Sequence, residues 1–510
     1  MYHVVGTVLT LAFLAFFLFL ISRMRLFRIG NIPIRWLQGA FLLKVLSGFF
    51  LYLIYTYYYT DRSTADIWKY YDDGMVMFSA LPNHPLDYVQ MLLGIGNDRE
   101  RFTAYYDLMS HWDRPYSSSV ANDTHAIIRF NAFIRLFSFG HYIIHSVVMN
   151  FLGLIGLTGI FHFLRELAPS KERWLFLGIF MMPGVVFWSS GVLKEPLLFF
   201  GLGMFLVAIL SFAKDRLRVQ TAILLPISLL VLFSVKSFAL LAIFPGIVCW
   251  RMCFKWNRFN PILLTLAVYS ALGIVGLLLT KWMPEKDIVA QLTKKQYEFY
   301  QLAEGGTYVQ IPTGDTLYIS ASDYDAIGFL PDRDEAVMRQ SVNAVDWQNA
   351  KEGEAEKFKI GENTQVHVLL DYGRTGSTID IPRLDGSISS LIRATPMALI
   401  NSLFRPFPWE IDSPFALLSG LENLMILLLI VLMVFNFDGS AVQNPVLPVA
   451  IMFALIILLL TGWVTPVVGA IVRYKVPALP FLISALLALT DTQKLEGVAV
   501  ARFPFLRKYL

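Results

Sequence analysis

The stretch 49–74, "FFLYLIYTYYYTDRSTADIWKYYDDG", runs from lipid into water. Its first part is apolar and aromatic, the tail of a helix that uses the bilayer as solvent, and its tyrosines suit the depth where headgroups begin. Its second part places Asp66, Asp72 and Asp73 close to that boundary. A carboxylate beside an apolar wall is desolvated, so it can act as a general base or bind a cation.

The whole chain shares this greasy character. Of its 510 residues 56% are hydrophobic and 16% charged. The mean hydropathy of +0.57 is far too high for a water-soluble globule of this length. The net charge of +4 comes with no dense basic run or stacking platform, which argues against nucleic acid as a partner. Cys249 and Cys253 exclude a disulfide framework and lack zinc-like partners, so they read as packing residues.

Apolar runs of bilayer-spanning length fall at 5–22, 37–59, 141–164, 174–191, 196–213, 219–235, 237–250, 261–281, 415–436, 445–463 and 467–489. They predict an all-α polytopic membrane protein with about eleven transmembrane helices. The first run has no basic segment ahead of it and no small-residue cleavage site. Arg23, Arg25, Arg28 and Arg35 follow it, so it reads as a retained helix rather than a signal peptide. With alternating spans, the basic segments 23–35, 165–173, 214–218, 251–258 and 501–510 share one side, which the positive-inside rule makes cytoplasmic. Only the loop 437–444 on that side lacks a basic residue. Loop 60–140 and the segment 282–412 then fall on the opposite, extracytoplasmic face.

Four parts follow. Residues 1–36 form a span and a basic loop, and residues 37–281 a membrane module whose acidic outer loop is 60–140. Residues 282–395 form a small α+β extracytoplasmic domain, and residues 396–510 an interfacial helix, the last spans and a cytoplasmic tail. Within loop 60–140, apolar residues recur every three or four positions in "DIWKYYDDGMVMFSAL", "PLDYVQMLLGI", "RERFTAYYDLMSHW" and "IIRFNAFIRLFSFG", predicting short amphipathic helices. In the outer domain, "TYVQIP", "TLYISA", "QVHVLLDY" and "STIDIP" alternate with a period of two, predicting strands. Between them "RDEAVMRQSVNAVDWQNAKEG" reads as a helix.

The candidate site residues cluster at the outer boundary. Asp66 and Asp73 share a helix face with Tyr70 between them, and Asp66 is the foremost candidate base. In "FWSSGVLKEP" (187–196), Ser189, Ser190 and Gly191 make a turn that presents Lys194 and Glu195, a phosphate ligand and its partner. In "LFRPFPWEIDSP" (403–414), Arg405 and Glu410 flank a rigid aromatic segment lying at the interface. Glu422 falls inside a span, where an acid needs a partner or a wet cavity. In the last span Arg473 and Lys475 flank Tyr474. Two cations there are costly in lipid, and a lipid-linked phosphate is their natural ligand. Lys236, Arg129 and Arg135 extend this cluster. Each has an ordinary alternative: helix caps for the acids, snorkelling for the lysines, anchoring for the aromatics. His141 and His145 sit four apart, a spacing that permits a metal but lacks a third ligand. Asn122-Asp-Thr124 is a bare glycosylation sequon.

These pieces resemble the GT-C superfamily of membrane glycosyltransferases, the class of the protein O-mannosyltransferases and aminoarabinose transferases. The likeness rests on the acidic "DIWKYYDD" after a span, the run "RFNAFIRLFSFGHYIIHSVVMNFLGLIGLTGIFHFLREL", the paired helices of "MMPGVVFWSSGVLKEPLLFFGLGMFL", and "RYKVPALPFLI" in the last span. Residues 37–280 carry most of it, and residues 395–490 match more loosely. The resemblance implies transfer of a sugar from a polyprenyl-phosphate donor to a glycan, lipid or protein acceptor. Asp66 matches the loop acid that serves as base or metal ligand, and Arg473 and Lys475 match the cations that hold the lipid phosphate. A divalent metal is the only cofactor implied. The usual Asp-Glu pair is absent here, with Asp72-Asp73 following Asp66 instead. Rival readings are an O-antigen-type polymerase or ligase, and a non-enzymatic transporter or assembly scaffold.

Overall fold

The computed structural model describes residues 2–494, apart from 60–61, 63–64, 98, 113–122, 214–218, 257, 281, 283–286, 332–333, 352–353, 373–374 and 412. The expected basic segments 214–218 and 501–510, and Asn122 of the sequon, lie outside the described residues.

The chain opens with α1 (Tyr2–Arg23) and α2 (Ile34–Tyr57). Four short helices follow where amphipathic ones are predicted: α3 (Asp66–Ser79), α4 (Pro85–Leu93), α5 (Glu100–Tyr106) and α6 (Asp123–Ser138). Then come α7 (Tyr142–Leu164), α8 (Glu172–Phe180), α9 (Pro183–Trp188), α10 (Lys194–Ala213), α11 (Val219–Lys255) and α12 (Pro261–Leu279). After α13 (Ile288–Glu304) and a sheet, the chain closes with α14 (Ile388–Phe404), α15 (Pro414–Phe435), α16 (Val446–Val464), α17 (Val468–Tyr474) and α18 (Leu479–Ala488).

Among the described residues nine helices are long and apolar enough to cross a membrane, the ninth being α17 and α18 joined through a short turn. The protein is a multi-pass integral membrane protein. The count falls short of eleven for two physical reasons. The run 174–191 is divided between α8 and α9, because Pro183 has no N–H to continue the first helix and instead begins the second. The runs 219–235 and 237–250 are two arms of α11, which breaks at Lys236 (φ −156°, ψ 82°).

α7 forms the centre of the bundle, with nearly every residue buried. It packs on α10 through small residues. A Cβ added to Gly156 would lie 2.1 Å from the Phe199 carbonyl, and one added to Gly159 would lie 2.4 Å from that of Gly203. Backbones this close allow dispersion to hold helices together where lipid supplies no hydrophobic drive. α12, by contrast, is almost wholly exposed, as a lipid-facing span should be.

One end of the bundle collects the segments after α1, α7 and α15. His162 Nε2 lies 2.7 Å from the Leu26 carbonyl, Asn31 N donates to Glu172 Oε2 at 2.9 Å, and Asn444 donates to the Glu166 carbonyl at 2.7 Å. The loop without a basic residue borrows one: Lys171 Nζ reaches Asp438 at 3.0 Å and the carbonyls of Ala488 and Thr490 that end α18.

The sheet has seven antiparallel strands, β1 (Gly306–Gln310), β2 (Thr316–Ser320), β3 (Ile327–Phe329), β4 (Glu335–Met338), β5 (Val342–Lys351), β6 (Glu354–Ile360) and β7 (Gln365–Tyr372). Their order is β3-β4-β7-β1-β2-β5-β6. Val309, Leu317, Ile319, Ala336, Met338 and Ala344 share one apolar core. The helix expected over 333–353 is instead β4 and β5. Ala336 and Met338, then Val342, Ala344 and Asp346, are buried at every second position, a period only a strand satisfies. The expected strand "STIDIP" reduces to a single bridge between Thr378 and Val467. α13 docks this domain on the bundle, Gln296 donating to the Trp463 carbonyl at 2.6 Å and the Pro382 carbonyl at 3.0 Å.

Candidate functional site

At the opposite end of the bundle three distant elements converge. Asp66 is the first residue of α3, where the helix dipole favours a carboxylate. Glu195 lies in the first turn of α10 and Arg473 in the last turn of α17, each again on the side of the dipole that suits its charge. Arg473 Nε and Nη2 donate to the two Glu195 oxygens at 2.8 and 3.3 Å, and Nη1 donates to Asp66 Oδ2 at 2.6 Å. One guanidinium thus bridges two carboxylates.

Lys194 stands beside this group. It pairs with Asp123 at 2.8 Å, donates to Thr124 Oγ1 at 3.2 Å, and lies 5.2 Å from the centre of the Tyr70 ring. Lys236 lies over the Tyr474 ring at 4.8 Å, and Tyr474 meets Phe299 of α13 edge-on at 5.8 Å. α13, which docks the sheet domain on the bundle, therefore meets the cluster by an aromatic contact. Burial alone would raise the Asp66 carboxyl, but the positive charges of Arg473, Lys69 and Lys194 outweigh it and hold the group well below the usual carboxylate range.

The turn that presents Lys194 and Glu195 is itself anchored on α2 and α7. Lys44, buried in α2, donates to the Ser189 carbonyl at 2.6 Å and to the Ser189 hydroxyl. From α7, Ser146 and Asn150 donate to the Ser190 carbonyl at 3.1 and 2.7 Å. Gly48 lets that carbonyl sink against α2, since a Cβ there would meet it at 2.1 Å.

Other sequence candidates lie elsewhere. Asp73 accepts from the backbone N–H of Ser110 and His111 at 3.1 and 2.9 Å, shaping a loop. Asp72 forms a two-point pair with Arg62, whose guanidinium covers the Trp68 ring at 3.8 Å. Lys475 has partners of its own within the bundle. It is fully buried, donates to Asn423 and stands 3.9 Å from Glu422, which accepts from Gly184 N. Arg405 pairs with Glu410 at 3.0 Å, and Glu410 also accepts from Phe407 N at 2.9 Å, so both close their own loop. His145 is fully engaged as a packing residue, Nε2 facing Ser138 Oγ at 2.8 Å and Nδ1 facing Asn131 Oδ1 at 2.9 Å.

A cavity of about 760 Å³ adjoins the cluster. Leu51, Ile54, Phe187, Trp188, Leu418 and Val472 give it apolar walls, and the segments 376–379 and 406–411 roof it. The roof is stitched down by Ile379 N donating to the Pro466 carbonyl at 2.7 Å and Val468 N to the Ser377 carbonyl at 3.0 Å. Val472 precedes Arg473 in α17, and the carbonyl of Tyr55 in the wall accepts from Trp68 of α3 at 3.3 Å.

Sequence reasoning passed over Lys44, although a lone charge inside a predicted span is a signal by itself. It also passed over Asp123 and Thr124, read only as parts of a sequon. As for a metal, among the described residues no three His, Cys, Asp or Glu side chains gather as a site. The space between Asp66 and Glu195 is filled by a guanidinium, already a cation, so these donors do not fit a metal in this arrangement.

No protein-family model matches the chain, and neither a curated protein nor a solved structure matches it.

Proposed function

We propose that the protein is a GT-C-like glycosyltransferase that moves a sugar from a polyprenyl-phosphate donor to an envelope glycan, lipid or protein acceptor on the extracytoplasmic face. The observation that carries the reading is the Asp66–Arg473–Glu195 cluster at one end of the bundle, set beside an apolar cavity of about 760 Å³. A polyprenyl-phosphate sugar has a lipid tail, an anionic head and a sugar in water. It calls for an apolar groove, a cation and an acid at one interface.

The cavity takes the end of the tail, and Arg473 and Lys194 receive the phosphate. An acceptor hydroxyl attacks the anomeric carbon and gives its proton to Asp66. The bond from that carbon to the phosphate oxygen breaks, and polyprenyl phosphate leaves with the bonding pair, its charge held by Arg473. The arginines Arg25, Arg28 and Arg35 belong to the opposite end, which supports an outward-facing Asp66. A photoreactive polyprenyl phosphate tests the cavity. The reading requires labelling around Phe187, Trp188 and 416–419 that unmodified polyprenyl phosphate suppresses, and labelling confined to lipid-exposed α12 contradicts it.

A second reading, a transporter, is favoured by one observation. Lys44 and the Lys475–Glu422 pair put ionisable groups inside spans, as carriers do. Movement of a lipid-linked sugar across vesicles without its consumption would support it instead.

A further inference from the structure

We propose that Arg473 exchanges partners when the donor phosphate arrives: its contact with Asp66 opens, its contact with Glu195 holds, and the released Asp66 becomes the base. This rests on the glycosyl-transfer reading and adds an order of events to it.

The asymmetry of the cluster argues for that order. Glu195 takes two guanidinium nitrogens, is only 2% exposed, and sits in the first turn of α10 above the anchored Ser189–Ser190 turn. Asp66 takes one nitrogen, is 30% exposed, and starts a short helix outside the bundle. The contact made through one nitrogen by the more exposed carboxylate is the one an incoming anion reaches and displaces. With Nε and Nη2 kept by Glu195, the phosphate takes Nη1, the nitrogen that Asp66 holds in the empty protein.

Charge balance then does the rest. Among the described residues, Arg473, Lys194 and Lys69 face Asp66, Glu195 and Asp123, with Lys236 beside them over Tyr474. A phosphate adds negative charge beside Asp66 and draws Arg473 away from it, and both changes raise the proton affinity of that carboxylate. Paired with Arg473, Asp66 is a poor base. Freed from it beside an anion, it recovers basicity at the moment an acceptor needs it. The empty enzyme keeps its base masked, so water is not activated before donor is bound.

The test is equilibrium binding of polyprenyl phosphate, the reaction's lipid product, to the full chain in nanodiscs. Asp66→Asn removes the competing charge, so it should bind more tightly than wild type, on the order of tenfold, while losing transfer. Asp66→Ser is a second neutral variant should the first fail to fold. A loosened fold does not raise affinity, so the gain separates displacement from damage. Wild-type affinity or weaker in both neutral variants, with wild type binding, overturns the exchange alone. Wild type that binds no polyprenyl phosphate overturns the glycosyl-transfer reading with it.

Discussion

Asp66 and Arg473 are 407 positions apart in the chain and 2.6 Å apart in the fold. The contact joins the first helix outside the membrane to the last span, and Glu195 shares the same guanidinium from a third element. Arg473→Ala would leave two carboxylates facing each other, one of them almost fully buried, without their cation. Removing one member of such a group costs about 3–5 kcal/mol. The expected result is a lower unfolding temperature in detergent together with loss of sugar transfer.

The same pair sets an acid limit. The Asp66 carboxyl is held below its ordinary range, so its contribution to stability is complete above the unfolded value of about 3.9 and is lost as pH falls through the lower folded value. The gap in unfolding temperature between wild type and Asp66→Asn should be constant near neutrality and shrink only in strong acid. A gap that closes between pH 6 and 8, about two to four pH units above the unfolded value, would contradict this assignment of charge.

Lys44 is expected to matter although its bonds go to Ser189 rather than to the Asp66–Arg473–Glu195 cluster. Lys44→Met keeps much of the volume and removes both bonds to Ser189. Leaving buried acceptors unpaired costs about 1–3 kcal/mol, which thermal unfolding would register. Transfer should fall as well, because the turn carrying Lys194 and Glu195 loses its anchor.

Much of this arrangement was legible in the chain, for a definable reason. Spans and amphipathic helices are local patterns, so loop 60–140 divides into α3 to α6 where the three-and-four spacing places them. Glu195 and Arg473 stand out because a charge at a span boundary is expensive unless it is used. Pairing is not local. The choice of Glu422 and Asn423 as the partners of Lys475 depends on how α15, α9 and the last span pack. Likewise β4 and β5 become strands because neighbouring strands bury every second residue, which outweighs the helical look of 333–353.

The buried pair of Glu422 and Lys475 offers a double-mutant test. Either Glu422→Gln or Lys475→Met alone leaves its partner stranded, at a cost of about 3–5 kcal/mol. Glu422→Gln combined with Lys475→Met should cost much less than the sum of the single changes. Additive losses in thermal unfolding would mean the two do not interact.

The most direct measurement is sugar transfer by the purified full chain in lipid, using radiolabelled polyprenyl-phosphate sugars with the host's lipid and polysaccharide extracts. Wild type, Asp66→Asn and Arg473→Ala are run side by side. The account predicts label moved to an acceptor by wild type and by neither variant. Transfer that survives Asp66→Asn undiminished contradicts it.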